Sequence, residues 1–434
     1  MSSVLRSASF FFRIVGYNVS IFYAYWRRTR ARAPPISPML LASTKPLTVV
    51  IVGGSFAGHS AARSLATSLP PNTPHRIILV EPNSHFQFTW VLPRFCVVSG
   101  YEDKAFIPYG AHVPEHARHL VTYVHDRVVG VTSTHVQLQD AGPDGAIRYD
   151  FLVLATGAGA GDALPSRVGT EDKINGVERL RDMQAAVGKA RRVVVAGGGA
   201  AGVEFAADAK EKYPNKSVTL VHSRAGVMNR FGLGLQMEAL RGLQSLGVEV
   251  ILEDRLVQEN KDDMTVTLKS GKVLPCDLLV NCAGQKPTTA FLGPSFSPKA
   301  IPPHGRILVK PTMQIDDDNL PNVYACGDVA ECSLRNTNSR TAMKQADVVA
   351  DNIAMALDGK EPGVLYKPHW GDALIKLTLG LKKAVVYFSD GTTEMLFRSN
   401  NNDEALDVQH TWAYLGYPNF EDADYEKQRA GEVV

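Results

Sequence analysis

Three glycine-marked segments of this chain have the residue types and spacing to do chemistry together. The first is Gly53-Gly54-Ser55-Phe56-Ala57-Gly58, directly after the β-branched run Leu47–Val52. The second is Gly197-Gly198-Gly199-Ala200-Ala201-Gly202, directly after Val193–Ala196. Each opens what reads as a helix, and a helix N-terminus offers free N–H groups to a pyrophosphate. The third is Gly327-Asp328, which follows Asn322–Cys326 and puts a carboxylate after a strand and ahead of a helix. That carboxylate can hold flavin ribityl hydroxyls, or it can be a simple helix N-cap. The N-cap reading accounts for the Asp but not for its place after two nucleotide loops. One loop followed by Gly-Asp suggests bound FAD; two suggest that NADH or NADPH binds as well.

The elements that must position these segments are legible around them. Leu47–Val52 and Arg76–Val80 read as buried parallel strands flanking a helix through Leu65. The second strand ends at Glu81, placed to accept from ribose hydroxyls. Ser55 stands where the G-x-G-x-x-G pattern has its central glycine. The second loop satisfies that pattern in full, and its following strand, Ser217–Val221, ends in His222-Ser223-Arg224 without an acid. The missing acid leaves NADPH admissible, with Arg224 either gripping a 2′-phosphate or simply solvated. Glu204 lies on the first turn after the second loop. It is either an acid favoured there by the helix dipole or a group near the nicotinamide. Two returning strands, Phe151–Ala155 and Leu278–Cys282, lead to Thr156-Gly157 and Gly284, whose glycines permit close backbone approach. A helix from about Arg340 carries Lys344, a proton donor or a solvated lysine, and its dipole would favour reduced, anionic flavin.

Composition narrows the class. Hydrophobic residues make 45% and charged residues 21%, ordinary for a globular protein. The net charge of +2 hides a basic head on an acidic body: residues 1–80 hold nine Lys/Arg and no acid, and the rest holds 37 basic against 44 acidic residues. An acidic body argues against a nucleic-acid partner. The five cysteines form no C-x-x-C or C-x4-C pair, so neither a disulfide framework nor a zinc site is expected, and no metal. Without a cysteine pair near Thr89–Cys96, dithiol exchange is excluded. In the head, Phe10–Trp26 is apolar and aromatic, followed by Arg27, Arg28, Arg30 and Arg32. Its charge-free part, Ile14–Trp26, is too short for the roughly 20 apolar residues a span needs. Arg-rich, acid-free composition fits a mitochondrial targeting segment, an interfacial anchor on anionic lipid, or a disordered extension.

These motifs add up to a resemblance. The run Val193–Arg224, with Ala201-Gly-Val-Glu-Phe-Ala-Ala-Asp208 and Lys212–Ser223, closely resembles the ferroptosis-suppressor / AMID group of apoptosis-inducing-factor-like flavoproteins. The likeness covers about residues 47–360, including Gly53–Gly58, Arg94 in Leu92-Pro-Arg, Val128-Val129-Gly130, Ala155-Thr-Gly157 and Tyr324–Asp328. It implies FAD held by Gly53 through Gly58, Arg94, Val128 and Asp328, NAD(P)H at the second loop, and reduction of quinones. Thr89–Pro93 and Ala342-x-x-Gln345 are similar to type II NADH dehydrogenase segments that lie against flavin and quinone. Position 2 is Ser where some members carry an acylated glycine, and beyond about Pro362 the match is weak.

The expected fold is α/β, with two Rossmann-like three-layer nucleotide-binding domains and a small C-terminal α+β region. The FAD domain is expected at 46–165 and 296–362, the NAD(P)H domain at 166–295, and the tail at 363–434. The tail should hold strands at Ala373–Thr378 and Lys383–Phe388, a loop at Asn400–Asp403 and a helix near Thr411–Leu415. Residues 1–45 are expected to be a targeting or anchor segment, making the protein membrane-associated, in mitochondria or otherwise cytoplasmic. The expected chemistry is hydride transfer from NAD(P)H to flavin, then two electrons to a quinone. The alternatives are a soluble oxidoreductase acting on a dedicated small molecule in a biosynthetic pathway, and an apoptosis-related or nucleic-acid-binding effector.

Overall fold

The structure, a computed structural model, describes residues 3–30, 46–142, 145–159, 164–332, 338–400 and 403–430. Its helices of seven residues or more are α1 (Ser3–Arg30), α2 (Phe56–Ser68), α3 (Lys173–Lys189), α4 (Ala200–Lys212), α5 (Leu233–Leu246), α6 (Ser339–Leu357), α7 (Val408–Tyr414) and α8 (Ala423–Ala430), and a single turn spans Leu92–Phe95. As expected, the fold is α/β with parallel sheets of the two-dinucleotide type.

The first sheet forms because its strands are Val/Ile/Leu runs that must be covered on both faces. Its order is Val323–Ala325, Phe151–Leu154, Thr48–Val52, Arg76–Glu81, Val121–His125. All four pairings are parallel, with Val50 opposite Ile78 and Leu152, and Tyr324 opposite Val153. The strand that delivers Gly327-Asp328 therefore returns to the first loop's sheet after the whole second unit has intervened. The second sheet runs Glu249–Ile251, Ser217–Val221, Arg192–Ala196, Leu278–Asn281, again parallel. Between the units, Ala158 pairs with Pro287 and Gly159 with Lys286. Helix α2 lies against α6, where Ser64 Oγ donates to Asp347 Oδ1 at 2.6 Å.

The tail is an antiparallel sheet of Ile375–Thr378, Lys383–Ser389 and Glu394–Asn400. The third strand was not anticipated, because Glu394–Asn400 alternates too weakly to read as a buried strand; of the expected loop, 401 and 402 lie outside the described residues. Helix α7 stands where a helix was expected, and α8 is additional. The sheet is apolar on both faces, with period-2 alternation. Val385 and Tyr387 join the core of the second unit, while Val386 and Phe388 meet α1.

Helix α1 settles one alternative: residues 3–30 are a docked helix, not a disordered extension. Phe10, Ile14 and Tyr17 repeat at helical spacing and are buried. Phe10 meets the Trp370 ring at 5.1 Å, and Arg13 reaches Asp390 at 2.6 Å. Residues 31–45 lie outside the description. Among the described residues no helix is long and apolar enough to cross a membrane.

One buried pair makes the fold acid-sensitive. His59 of α2 and His112 lie 4.4 Å apart, and neither His59 nitrogen has a hydrogen-bond partner. Burial, with Arg63 adding repulsion, pushes the His59 imidazole down to about 3. Burial lowers His112 as well, and His59 and Arg63 deepen that shift. Unfolded His59 takes its proton near pH 6.5 and folded His59 near 3. Stability is therefore full above pH 6.5 and falls as pH drops toward 3, by about 2 kcal/mol at pH 5 from His59 alone. In His59→Phe, urea unfolding at pH 5 and 7.5 should show this loss largely removed. Unchanged pH dependence would refute the assignment.

Candidate functional site

Each glycine loop has a geometric requirement. Gly53 has φ +100°, and a Cβ there would lie 2.6 Å from Ala155 O; a Cβ at Gly58 would lie 1.7 Å from Gly53 O. The second loop repeats this: Gly197 has φ +115°, and a Cβ at Gly202 would lie 1.9 Å from Gly197 O. At the middle position the requirement differs. A Cβ at Gly199 meets nothing within 4 Å, and Ser55, its counterpart, is exposed. The chain itself thus tolerates a side chain at that position, which accounts for Ser55.

The helices after the loops begin without side-chain caps, at Ser55 for α2 and Gly199 for α4. Others are capped: Asp172 accepts from Asn175 N at α3, and Asn338 from Thr341 N at α6. Glu394 accepts from Gly234 N at α5. The loop helices keep their first-turn N–H groups for a ligand. Phe56 and Ala57 lie on the first turn of α2; Phe56 stacks on Trp90 with centroids 5.6 Å apart, and Ala57 is buried.

The strand-end residues brace the loops. The Gly54 N–H donates to Glu81 Oε2, and the Asn83 N–H to Glu81 Oε1 at 3.0 Å. Glu81 therefore spends part of its accepting capacity inside the chain, which the ribose reading did not foresee. At the matching place in the second unit, the Gly198 N–H donates to His222 Nδ1 at 3.0 Å. Burial lowers the His222 imidazole, so it stays neutral. A neutral ring thus does what a carboxylate does in the first unit. Arg224 is exposed nearby, close enough for its charge to oppose His222 protonation.

Gly327 has φ +78°, and its Cβ position is 3.0 Å from Ala57 Cβ, so Asp328 sits beside the first loop. The Asp328 carboxylate is half-buried, and its charge supports the Arg167 guanidinium. Gln345 holds this turn: Gly327 N–H donates to its Oε1 at 2.8 Å, and its Nε2 donates to Cys332 Sγ at 2.9 Å. Gln345, read from the sequence as a candidate catalytic group alongside Glu204 and Lys344, positions Gly327-Asp328 in this structure. Thr156 Oγ1 donates to Thr288 O at 2.6 Å, locking the two returning segments together. Gly157 and Gly284 have positive φ and open space at their Cβ positions. Val128 is buried in the first unit's core.

Arg94, expected as a cofactor contact, is bonded within the chain itself. It is fully buried, with Nε donating to Asp208 Oδ2 at 2.7 Å and Nη2 to Gly380 O at 3.0 Å. Only Nη1 lacks a partner. Arg94 clamps α4 to the tail, because a buried guanidinium must be paired. Cys96, two residues on, is buried, and burial pushes its thiol well up, which suits no thiolate chemistry.

The weakly matched tail holds the other two candidate catalytic residues, Glu204 and Lys344. Thr378 donates to Glu204 Oε1 from its N–H at 3.1 Å and its hydroxyl at 3.3 Å. Burial, reinforced by Asp208, raises the Glu204 carboxyl to about 7, against the Thr378 bonds and Arg94. Six residues before Thr378, Asp372 takes a bond from Lys344 Nζ and one from Tyr17 Oη at 2.7 Å. Lys344 is therefore paired with a buried carboxylate while its side chain stays partly exposed. The α6 N-terminus is partly spent too, because Asn338 and Thr341 form a reciprocal capping box. Reasoning from the sequence missed Tyr17, His222, Asp372 and Thr378. Only Tyr17 carried a signal, its place in the apolar repeat Phe10–Ile14–Tyr17.

The residues fit FAD at the first loop and NAD(P)H at the second. Two uncapped helix N-termini and the open floors at Gly157, Gly199 and Gly284 suit pyrophosphates, and Asp328 offers an acceptor beside the first. Among the described residues no cluster could hold a metal.

Comparisons agree with this geometry. A family model described as pyridine nucleotide-disulphide oxidoreductase matches residues 47–349. Fe-regulated protein 8 of Mycosarcoma maydis is 34% identical over 371 residues, covering 80% of this chain and 89% of that protein. Ferroptosis suppressor protein 1 of Homo sapiens is 28% identical over 375 residues, covering 84% and 95%. By structure, NDH2 from Plasmodium falciparum in complex with NADH superposes with TM-score 0.65 at 13% identity, covering 89% of this chain and 98% of that one.

The two second-loop glycines give a paired test. Gly202→Ala should disrupt the loop, lowering the melting temperature and abolishing NAD(P)H binding. Gly199→Ala should melt like the parent yet weaken NAD(P)H binding about tenfold or more, because the ligand occupies that space. Equal binding by Gly199→Ala and the parent in titration would show that the pyrophosphate does not sit there.

Proposed function

The chain belongs to the pyridine nucleotide-disulphide oxidoreductase family, and on that premise we propose that this FAD- and NAD(P)H-dependent oxidoreductase delivers its electrons to a quinone-type acceptor. FAD, when bound, supplies the two-electron carrier between the nicotinamide and the acceptor. The remaining work falls to the chain's own residues.

The observation that carries the quinone reading is the Lys344–Asp372–Tyr17 cluster. A quinone is a planar, neutral ring that takes up protons with its electrons, so its site needs an apolar wall and a proton source. Lys344 Nζ and Tyr17 Oη both bond to the buried Asp372 carboxylate and lie 3.2 Å from each other. His369 stacks on Tyr17 at 4.7 Å and 2°, and Trp370 tilts against both. Burial, then the bond to Asp372, raises the Tyr17 phenol, which keeps its proton until another is supplied. Lys344 is the entry point for protons, because its side chain is partly exposed to solvent.

On the nicotinamide side, Glu204 is held at the first turn of α4 with a carboxyl near 7. It changes protonation around neutrality while Thr378 fixes its orientation. Neutral His222 leaves the second unit without the negative charge that rejects a 2′-phosphate, so both nucleotides are accepted.

Two measurements follow. Lys344→Met should lower kcat with a water-soluble ubiquinone analogue about tenfold or more, while ferricyanide, which needs no protons, changes little. Failure of every quinone analogue to raise NAD(P)H oxidation above the oxygen rate would sink the proposal. His222→Glu should raise KM for NADPH far more than for NADH. Equal changes for the two nucleotides would remove His222 from nucleotide selection.

A further inference from the structure

Helix α1 is apolar on two nearly opposite faces, and only one is used inside the molecule. The inner face, Phe10, Ile14 and Tyr17, is buried on the tail sheet and on the 369–372 turn. The outer face carries Phe12, Val15, Val19 and Phe22, spaced three, four and three residues apart. These are 73%, 45%, 61% and 69% exposed. The inner contacts leave α1 little freedom to turn this stripe inward. Arg13 is tied to Asp390 and lies over the Trp370 ring at 5.1 Å. The ring of Tyr17 is packed so tightly on Gly371 that a Cβ there would lie 2.6 Å from it. The stripe is therefore a permanent feature of the surface.

We propose that this outer face lies in the plane of an anionic lipid bilayer surface and anchors the protein with its acceptor end toward the lipid. Three observations select that occupant. The stripe is large and aromatic, which suits the headgroup boundary. Helix α1 carries Arg6, Arg27, Arg28 and Arg30 besides the paired Arg13, and no acid, which complements anionic lipid. No described helix can span a bilayer, so α1 lies on it. A second copy of the chain is the competing occupant, because three-four spacing also suits a coiled coil. Such pairing relies on charged residues flanking the stripe, and here the flanks are Phe11, Gly16, Asn18 and Tyr23.

The inner face gives this anchor a consequence. Tyr17 belongs to the Lys344–Asp372 cluster, so lipid contact and the proton-bearing cluster share one helix. If the quinone reading holds, an acceptor dissolved in the bilayer meets that cluster directly beneath α1. The anchor itself does not require that reading.

The test uses the full-length holoenzyme in flotation with phosphatidylcholine vesicles, with and without phosphatidylserine. The parent should float only with phosphatidylserine present. Phe12→Glu combined with Phe22→Glu should cut the floating fraction about tenfold. Helix content, flavin absorbance and turnover with a water-soluble quinone should stay at parental values, which separates lost anchoring from misfolding. Flotation of the double variant equal to the parent overturns the proposal. So does a parent that ignores the vesicles, or one that is a dimer in solution which the double variant splits. Loss of quinone turnover in a parent that still floats counts against the acceptor reading alone.

Discussion

The buried carboxylate of Asp372 is the interaction on which the Tyr17–Lys344 cluster and everything docked on it depend. A carboxylate without solvent survives only if its oxygens are fully bonded; leaving such a charge unpaired costs about 3–5 kcal/mol. Its partners come from three places far apart in the chain. Tyr17 arrives on α1, Lys344 on α6, and the His369 N–H closes the turn at 3.0 Å. Asn338, the cap of α6, also donates to the Asp372 carbonyl at 2.7 Å. One desolvated charge thus fixes the N-terminal helix, the start of α6 and the entry to the tail sheet relative to one another.

From that point the tail runs across to the second unit and repeats the same logic. Thr378 bonds Glu204, the Gly380 carbonyl accepts from Arg94, and the Leu381 N–H donates to Glu211. Glu394 then caps α5. Each contact satisfies a buried or terminal polar group that would otherwise be costly. The tail is consequently the piece that holds Lys344 and Glu204 in one frame. It adds to the direct links between the units, which include the paired segments at 158–159 and 286–287, Arg94 with Asp208, and Lys212 Nζ donating to Val97 O at 2.6 Å.

Much of the fold was legible because it obeys local rules. The glycines at 58 and 202 are demanded by contacts within their own loops, and those at 53 and 197 by the positive φ of the turn, so spacing alone reveals them. The parallel strands announce themselves as Val/Ile/Leu runs, and the helix from Arg340 by its periodicity. The same locality hides what Gln345 and Arg94 bond to inside the chain. Their residue types suit a flavin site, yet Gln345 holds a turn and Arg94 is paired with Asp208, more than a hundred positions away. Nothing near either residue in the chain carries that information.

The sequence by itself determined that two nucleotide loops exist, that Gly327-Asp328 follows them, and that no cysteine pair can serve. Those properties depend on backbone sterics and on residue identity, which are local. Only the tertiary structure decided that Asp328 rests against the first loop, that His222 is the neutral counterpart of Glu81, and that the tail supports both Glu204 and Lys344. It also decided which face of α1 is buried and which is left exposed. These depend on burial and on hydrogen-bond pairing between distant segments, and the cost of an unpaired buried group is paid only once the chain has closed around it.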